Sequence, residues 1–191
     1  MKDSDKRVII MRTALELFAE HGFHGVPMTM IAGKANVAIG TIYLYFTNKD
    51  SLIKELYMEM EKNIITTIKE GDSVDEPVRE RFLHLTRVLT GYFIDHPLYF
   101  RYFEQYINSP FGISMRRDEL IGKSRNHDIV FNIFEEGVAH KILKDLPMHV
   151  LSALGIGSLI FLIRDHILGF VTLDKRSINK ITEACWDCIK R

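Results

Sequence analysis

The sequence has few of the residues that mark disulfide-rich or strongly charged proteins. Only two of its 191 residues are cysteines, Cys185 and Cys188, which is too few for a disulfide framework. Its 25 basic and 25 acidic side chains cancel, so any DNA-binding surface must arise from local arrangement. A hydrophobic content of 47% and a charged content of 26% are typical of a globular protein and exclude a disordered chain.

Long apolar runs are lacking as well. The first twenty residues carry charges throughout, so we expect no secretory signal and a cytoplasmic protein. The most membrane-like segment, residues 150–163, is followed by Arg164 and Asp165, whereas a membrane span needs about 20 residues. We therefore expect a buried helix at this position and no membrane partner.

The sequence also lacks the motifs of catalysis. Its eight histidines are scattered, and His21 and His24 have no matching set of carboxylate or cysteine ligands. There is no glycine-rich phosphate loop and no nucleophile motif. We expect no enzyme, no catalytic residue, no cofactor and no metal site. Cys185 and Cys188 have CxxC spacing, which leaves open a redox or metal sensor beside the simpler interpretation of two half-buried helix residues.

Apolar residues recur with helical periodicity along the chain, which predicts an all-α protein. The first apolar stripe ends before Gly22, a residue suited to the left-handed position after a helix. Pro27 favours a short second helix over residues 27–35. Asn108, Ser109, Pro110 and Gly112 predict a turn. The later helices are predicted at 49–69, 77–95, 97–107, 114–140 with a break near Ser124, 147–170 and 175–190.

The segment from Pro27 to Leu52 has the spacing of a helix-turn-helix. Two short predicted helices meet at Asn36, a residue type that tolerates the left-handed conformation such a turn commonly needs. The apolar positions are spaced to form a small core with the first helix: Ile31, Ala32, Ala35, Val37, Ile42 and Phe46.

Residues 8–56 resemble the TetR (TetR/AcrR) family of bacterial transcriptional regulators. The matching positions are Ala14, Leu17, Phe18, Gly22, Ile31, Ala32, Ala35, Val37, Gly40, Tyr43, Tyr45, Phe46, Lys49 and Leu52. The resemblance implies a three-helix DNA-binding domain over residues 1–48 and a helical ligand-binding and dimerisation domain over 49–191. It also implies a homodimeric regulator, expected to be a repressor, that a small and largely apolar effector releases from a palindromic operator.

The expected DNA-binding residues form two groups. Base readout is assigned to three residues at the start of the recognition helix, Ala38, Ile39 and Thr41, and Gly40 among them lets the backbone approach DNA closely. Phosphate contacts are assigned to three hydroxyls and one ammonium: Thr29, Tyr43, Tyr45 and Lys49. For Tyr45, packing inside the domain is an equally open alternative.

The chain departs from the family pattern on its DNA-binding side. Ala38 stands where the family usually has a serine that caps the recognition helix, and Ile39 stands where lysine is common. No basic side chain lies between Ala35 and Thr47. DNA affinity is therefore expected to depend also on cations elsewhere: Lys2, Lys6, Arg7 and Lys34.

Aromatic residues concentrate between positions 82 and 134. The simplest interpretation is a helical core, but so many rings could also enclose a cavity for a small molecule. By the family resemblance, an effector would bind there, with five candidate lining residues: Phe103, Phe131, Phe134, Leu162 and Asp165.

The last two predicted helices are expected to form the homodimer. Small residues on the first of them allow close approach of backbones: Gly155, Gly157 and Ser158. An apolar stripe follows the second: Ile178, Ile181, Cys185 and Ile189. Such a dimer would place the recognition helices about 34 to 36 Å apart, one turn of DNA, which implies a palindromic operator.

Overall fold

The computed structural model describes residues 3–71, 73–120 and 129–191. Within these ranges the chain is helical and contains no β-strand, which confirms the all-α prediction. The helices are α1 Asp3–His21, α2 Met28–Lys34, α3 Ile39–Tyr45, α4 Lys49–Lys69, α5 Val78–Asp95, α6 Pro97–Ile107, α7 Pro110–Leu120, α8 Ile129–Ala139, α9 Met148–Ser152, α10 Ser158–Ile167 and α11 Lys175–Ile189. A π-helical segment, Ala153–Gly157, joins α9 to α10.

Helix α7 begins earlier than the sequence predicted. Pro110 takes its first position, and the hydroxyl of Ser109 accepts a hydrogen bond from the amide of Gly112 at 3.5 Å. The predicted turn is therefore limited to Asn108 and Ser109. The prediction was wrong because proline, which ends helices, also fits their first turn, where its missing N–H costs nothing. The predicted break near Ser124 lies outside the described residues.

The helices pack into two compact units. The first contains the described residues up to Lys62 together with those from Leu98 to the end of α7, and the second contains Asn63–Pro97 and everything from α8 onward. The predicted boundary at residue 49 lies at the start of α4, whereas the two units divide within that helix, after Lys62, and the first unit also includes α6 and α7.

Aromatic packing explains why α6 belongs to the first unit. The ring of Tyr102 lies 5.6 Å from that of Phe23, which meets Phe18 of α1 edge-on at 5.3 Å. The Tyr102 hydroxyl donates a hydrogen bond to the carbonyl of Ile53 in α4. Burial raises the pKa of Tyr102, so this hydroxyl remains a donor.

Phe82 of α5 lies at the centre of the second unit. Its ring centroid is 6.0 Å from that of Phe134 in α8 and 5.6 Å from that of Trp186 in α11. Gly155 lies against the same ring, because a Cβ there would meet Phe82 at 3.2 Å and Ile189 at 3.3 Å. The close approach expected at Gly155 therefore occurs inside the chain.

The helical stretch Met148–Ile167 is long and apolar enough to cross a membrane, by length and composition alone. It is not the buried helix that the sequence predicted, since only 22% of its most apolar window is buried within the single chain. The prediction was wrong because hydropathy measures how apolar a segment is and not which surface covers it.

Candidate nucleic-acid interface

A left-handed turn fixes the angle between α2 and α3. Asn36 has a φ of 52°, and the amide of Val37 donates to the carbonyl of Ala32 at 3.0 Å. Ile31 in α2 and Ile42 in α3 are both fully buried. Ala32, Ala35 and Phe46 are buried as well, so five of the six predicted core positions are confirmed, whereas Val37 is half-buried. This core holds α3 so that its opposite face is exposed.

The exposed face of α3 is mostly apolar. Ile39 is 37% exposed, Tyr43 52% and Leu44 81%. Leu44 was missed by sequence reasoning, although it lies two residues after the buried Ile42 and so points to the opposite side of a 3.6-residue helix. Among the described residues, no side chain caps α3 at Ala38, as the missing serine implied.

The other expected readout residues lie around this face. Gly40 is exposed, and a Cβ there would meet no described atom within 4 Å, so the α3 backbone is accessible at this point. Thr29 is exposed on α2 and Thr41 is half-buried. Tyr45 is also half-buried, with its ring 6.4 Å from that of Phe46, so it combines packing with partial exposure.

Lys49 is held by the loop before α2. Its ammonium donates hydrogen bonds to the carbonyl oxygens of Phe23 at 2.6 Å and Val26 at 3.1 Å. Two of its three N–H donors are therefore used within the domain. A phosphate contact, as the sequence suggested, would have to be made by the third.

Two other expected cations are also paired inside the first unit. Arg7 lies 2.8 Å from Glu55 and 3.6 Å from Glu59 of α4, and its guanidinium lies 5.6 Å from the centre of the Phe46 ring. Lys34 lies 3.2 Å from Glu16. Lys2 lies outside the described residues. The first unit thus uses several of its cations to bind its own helices together.

The effector candidates are divided between the two units. Phe103 lies on α6 in the first unit and is half-buried, while the other four lie in the second. Phe134 is fully buried, whereas Phe131, Leu162 and Asp165 are half-buried. Among the described residues, the gap left between α5 and α8 beside Phe134 is too small for a water molecule.

The two helices predicted to dimerise differ in what they expose. The stripe predicted on α11 packs largely inside the chain, because Cys185 and Ile189 are buried and Ile178 and Ile181 are half-buried. On and beside α10, three apolar side chains are exposed: Leu154 at 40%, Phe161 at 56% and Leu168 at 54%. Gly157 is exposed between them, and a Cβ there would meet no described atom within 4 Å.

The two cysteines of α11 lie in different environments. Cys185 is buried, and its sulfur lies 3.3 Å from the Ser158 hydroxyl, whereas Cys188 is exposed. Burial raises the pKa of the Cys185 thiol, which disfavours the reactive thiolate. The described residues contain no group of three or more histidine, cysteine or acidic side chains that could hold a metal ion.

Two family models match the sequence. Residues 10–56, which contain α2 and α3, match the model described as bacterial regulatory proteins, tetR family. Residues 77–190 match the model described as tetracyclin repressor-like, C-terminal domain. The second match covers more than half of the chain.

Full-length relatives agree with these matches. The HTH-type transcriptional regulator YhgD of Bacillus subtilis (strain 168) is 24% identical over 181 residues, which is 94% of this chain and 93% of the relative. The structure of a TetR-family regulator from Vibrio parahaemolyticus is 31% identical, with a TM-score of 0.75 over 97% of this chain and 99% of the other. FadR from Bacillus subtilis, solved with stearoyl-CoA, shares the fold at 20% identity, with a TM-score of 0.72 over 95% and 96% of the two chains.

Proposed function

Because the chain belongs to the TetR family of bacterial regulatory proteins, we propose that it is a cytoplasmic repressor that binds a palindromic operator as a homodimer and is released by a small, largely apolar effector. The observation that carries this proposal is the exposed face of α3, held in place by a buried helix-turn-helix core. An enzyme would need a set of catalytic side chains in one site, and the sequence has no motif that supplies one.

The proposed base contacts are made by the apolar side of α3. Ile39 and Leu44 are exposed and can contact thymine methyl groups, while Thr41 and the Ala38 end of the helix reach base edges. The open backbone at Gly40 allows the helix to approach the major groove closely.

The proposed phosphate contacts position the helix on the duplex. Tyr43 and Thr29 present hydroxyls at exposed positions, and Tyr45 is partly accessible. Lys49 contributes through its third N–H. Contacts of this kind fix register and orientation without reading sequence.

The proposed homodimer covers the apolar side chains that are exposed on and beside α10. Leu154, Phe161 and Leu168 would be buried against a second copy, and the open surface at Gly157 allows the backbones to approach. A four-helix interface of this kind has two-fold symmetry, which the operator would share as a palindrome.

The proposed effector binds within the second unit, near Phe131, Phe134, Leu162 and Asp165. Because the gap beside Phe134 is too small for water, binding requires the helices there to separate, which couples occupancy to a change in structure. Stearoyl-CoA is the first compound to test, because a protein of the same fold was solved with it.

One experiment tests the central proposal. In vitro selection of double-stranded DNA by the full-length chain should yield a palindrome whose half-site centres lie about 10 base pairs apart or a multiple of that. Titration of stearoyl-CoA into the purified complex then tests release by that compound. Selection of unrelated sequences, with no shared half-site, would contradict the proposal.

A further inference from the structure

A cleft of about 500 Å³ lies within the first unit, and Lys49 is the one residue of its lining that the proposed function uses. Three segments form it: the end of α1 with the loop that follows, the first turn of α4, and the turn between α6 and α7. Its volume falls in the range of about 300 to 1,000 Å³ that is usual for small-molecule sites.

The walls of the cleft combine an apolar floor with a polar rim. Phe23 and Ile53 are buried, and the half-buried Phe111 stacks on Tyr106 with ring centroids 6.2 Å apart. These side chains are held in place by contacts within the unit, and they can pack against the apolar or aromatic part of a ligand.

The rim carries more groups that can bind an anion than groups that repel one. Lys49 is positively charged, and His21 and His24 can each donate from a ring nitrogen. The amide of Asn108 donates one N–H to the Glu104 carbonyl at 2.8 Å and has a second N–H to offer. Two carboxylates oppose these donors: Asp50, the one acidic residue among those that line the cleft, and Glu20, which lies 3.6 Å from Nε2 of His21.

From this arrangement we propose that the cleft binds a small organic carboxylate with an aromatic or other apolar body. Its carboxylate accepts hydrogen bonds from Lys49, His21 and His24, and its apolar body lies against Ile53 and Phe111. A charged hydrogen bond of this kind is worth about tenfold or more in affinity.

A ligand at this position would act on the helix-turn-helix directly. Its carboxylate competes with the carbonyls of Phe23 and Val26 for the Lys49 ammonium, which loosens the loop before α2. We expect a lower affinity for DNA when the cleft is occupied. This consequence, unlike the binding itself, rests on the proposed function.

Calorimetric titration of the full-length chain with 2-naphthylacetate and with its amide, 2-naphthylacetamide, tests the binding step. The acid should bind about tenfold more tightly than the amide. In NMR spectra, the imidazole proton resonances of His21 and His24 are identified by their absence from the His21→Gln and His24→Gln variants. Addition of the acid should shift these resonances. Equal affinity for acid and amide, or no binding of either at millimolar concentration, would overturn the proposal.

Two variants and a control locate the site. The double variant His21→Ala/His24→Ala should lose about tenfold in affinity for 2-naphthylacetate, and Asn108→Trp, at an exposed position, should block the cleft. His140→Ala changes an exposed histidine outside the cleft and should bind as the parent does. Unchanged affinity in both cleft variants, with circular dichroism showing them folded, would place the probe elsewhere and refute the site. If the chain binds 2-naphthylacetate in the cleft but binds no DNA, only the proposed function is refuted.

Discussion

The Lys49 ammonium lies 2.6 Å from the carbonyl oxygen of Phe23, across 26 positions of sequence. Together with the 3.1 Å hydrogen bond to Val26, this contact ties the first turn of α4 to the loop that leads into α2. A single side chain therefore connects the start of α4 to the helix-turn-helix. Its removal should affect both stability and DNA binding.

We expect Lys49→Met to lower the free energy of unfolding by about 1 to 2 kcal/mol, because two hydrogen bonds from a charged, half-exposed donor are lost. If its third N–H also contacts a phosphate, the slope of log affinity against log salt becomes shallower by about 0.9. Lys69→Met, at an exposed position at the other end of the same helix, is the control in denaturation and salt-titrated binding assays. A stable variant with an unchanged salt slope would show that neither role is real.

Substitutions on the exposed face of α3 should separate base preference from overall affinity for DNA. Ile39→Ala and Leu44→Ala should each change base preference, at a cost of about 1 kcal/mol for sites rich in thymine, because they remove exposed methyl groups. Tyr43→Phe keeps the ring and removes the hydroxyl, so it should weaken binding to all sequences alike. Selection of DNA by each variant distinguishes the effects. Identical selected sequences from all three variants would contradict the assigned roles.

The scaffold of the helix-turn-helix could be predicted because its signals are local. Periodic apolar positions such as Ile31 and Ile42 identify the core, and Asn36 supplies the left-handed turn that the structure shows at φ 52°. A turn that needs a residue tolerant of the left-handed conformation can therefore be predicted from the sequence alone.

Side-chain partners could not be predicted in the same way. The sequence suggested that Arg7 and Lys49 are available to DNA, whereas Arg7 pairs with Glu55, 48 positions away, and Lys49 binds backbone carbonyls. Such pairings depend on tertiary packing. For the same reason the sequence did not show that α6 and α7 pack with the N-terminal helices.

Two arginines of α5 offer a matched test of buried charge. The Arg81 side chain is 5% exposed and lies 2.8 Å from Glu136, whereas Arg79 is 42% exposed and pairs with Glu183. Arg81→Met should lower the free energy of unfolding by about 1 to 2 kcal/mol, because it removes a charged hydrogen bond from a buried donor to a carboxylate that is itself 36% exposed. Arg79→Met should have little effect, since water solvates both groups of that pair. Equal losses in chemical denaturation would contradict this.

The start of α11 predicts a pH dependence. Hydrogen bonds from the Ser177 side chain and from its amide, the latter at 2.7 Å, hold the pKa of Asp174 below its ordinary value. The folded state therefore gains stability from this group above its unfolded pKa, and loses it as the pH falls through the lower, folded pKa. Asp174→Asn keeps a capping group that does not titrate, so its melting temperature should fall less on acidification than that of the parent. An equal fall in melting temperature for both proteins would show that Asp174 does not cause the pH dependence.

The apolar side chains exposed on and beside α10 predict the oligomeric state. A charge at Phe161, which is 56% exposed in the single chain, would be buried without a partner in the proposed dimer, and this costs several kcal/mol per copy. Phe161→Glu should therefore yield monomers in analytical ultracentrifugation at concentrations where the parent is dimeric. Val74→Glu, at a position 76% exposed outside the last helices, should remain dimeric. If Phe161→Glu is still a dimer, these side chains do not form the interface and another surface covers the apolar helix.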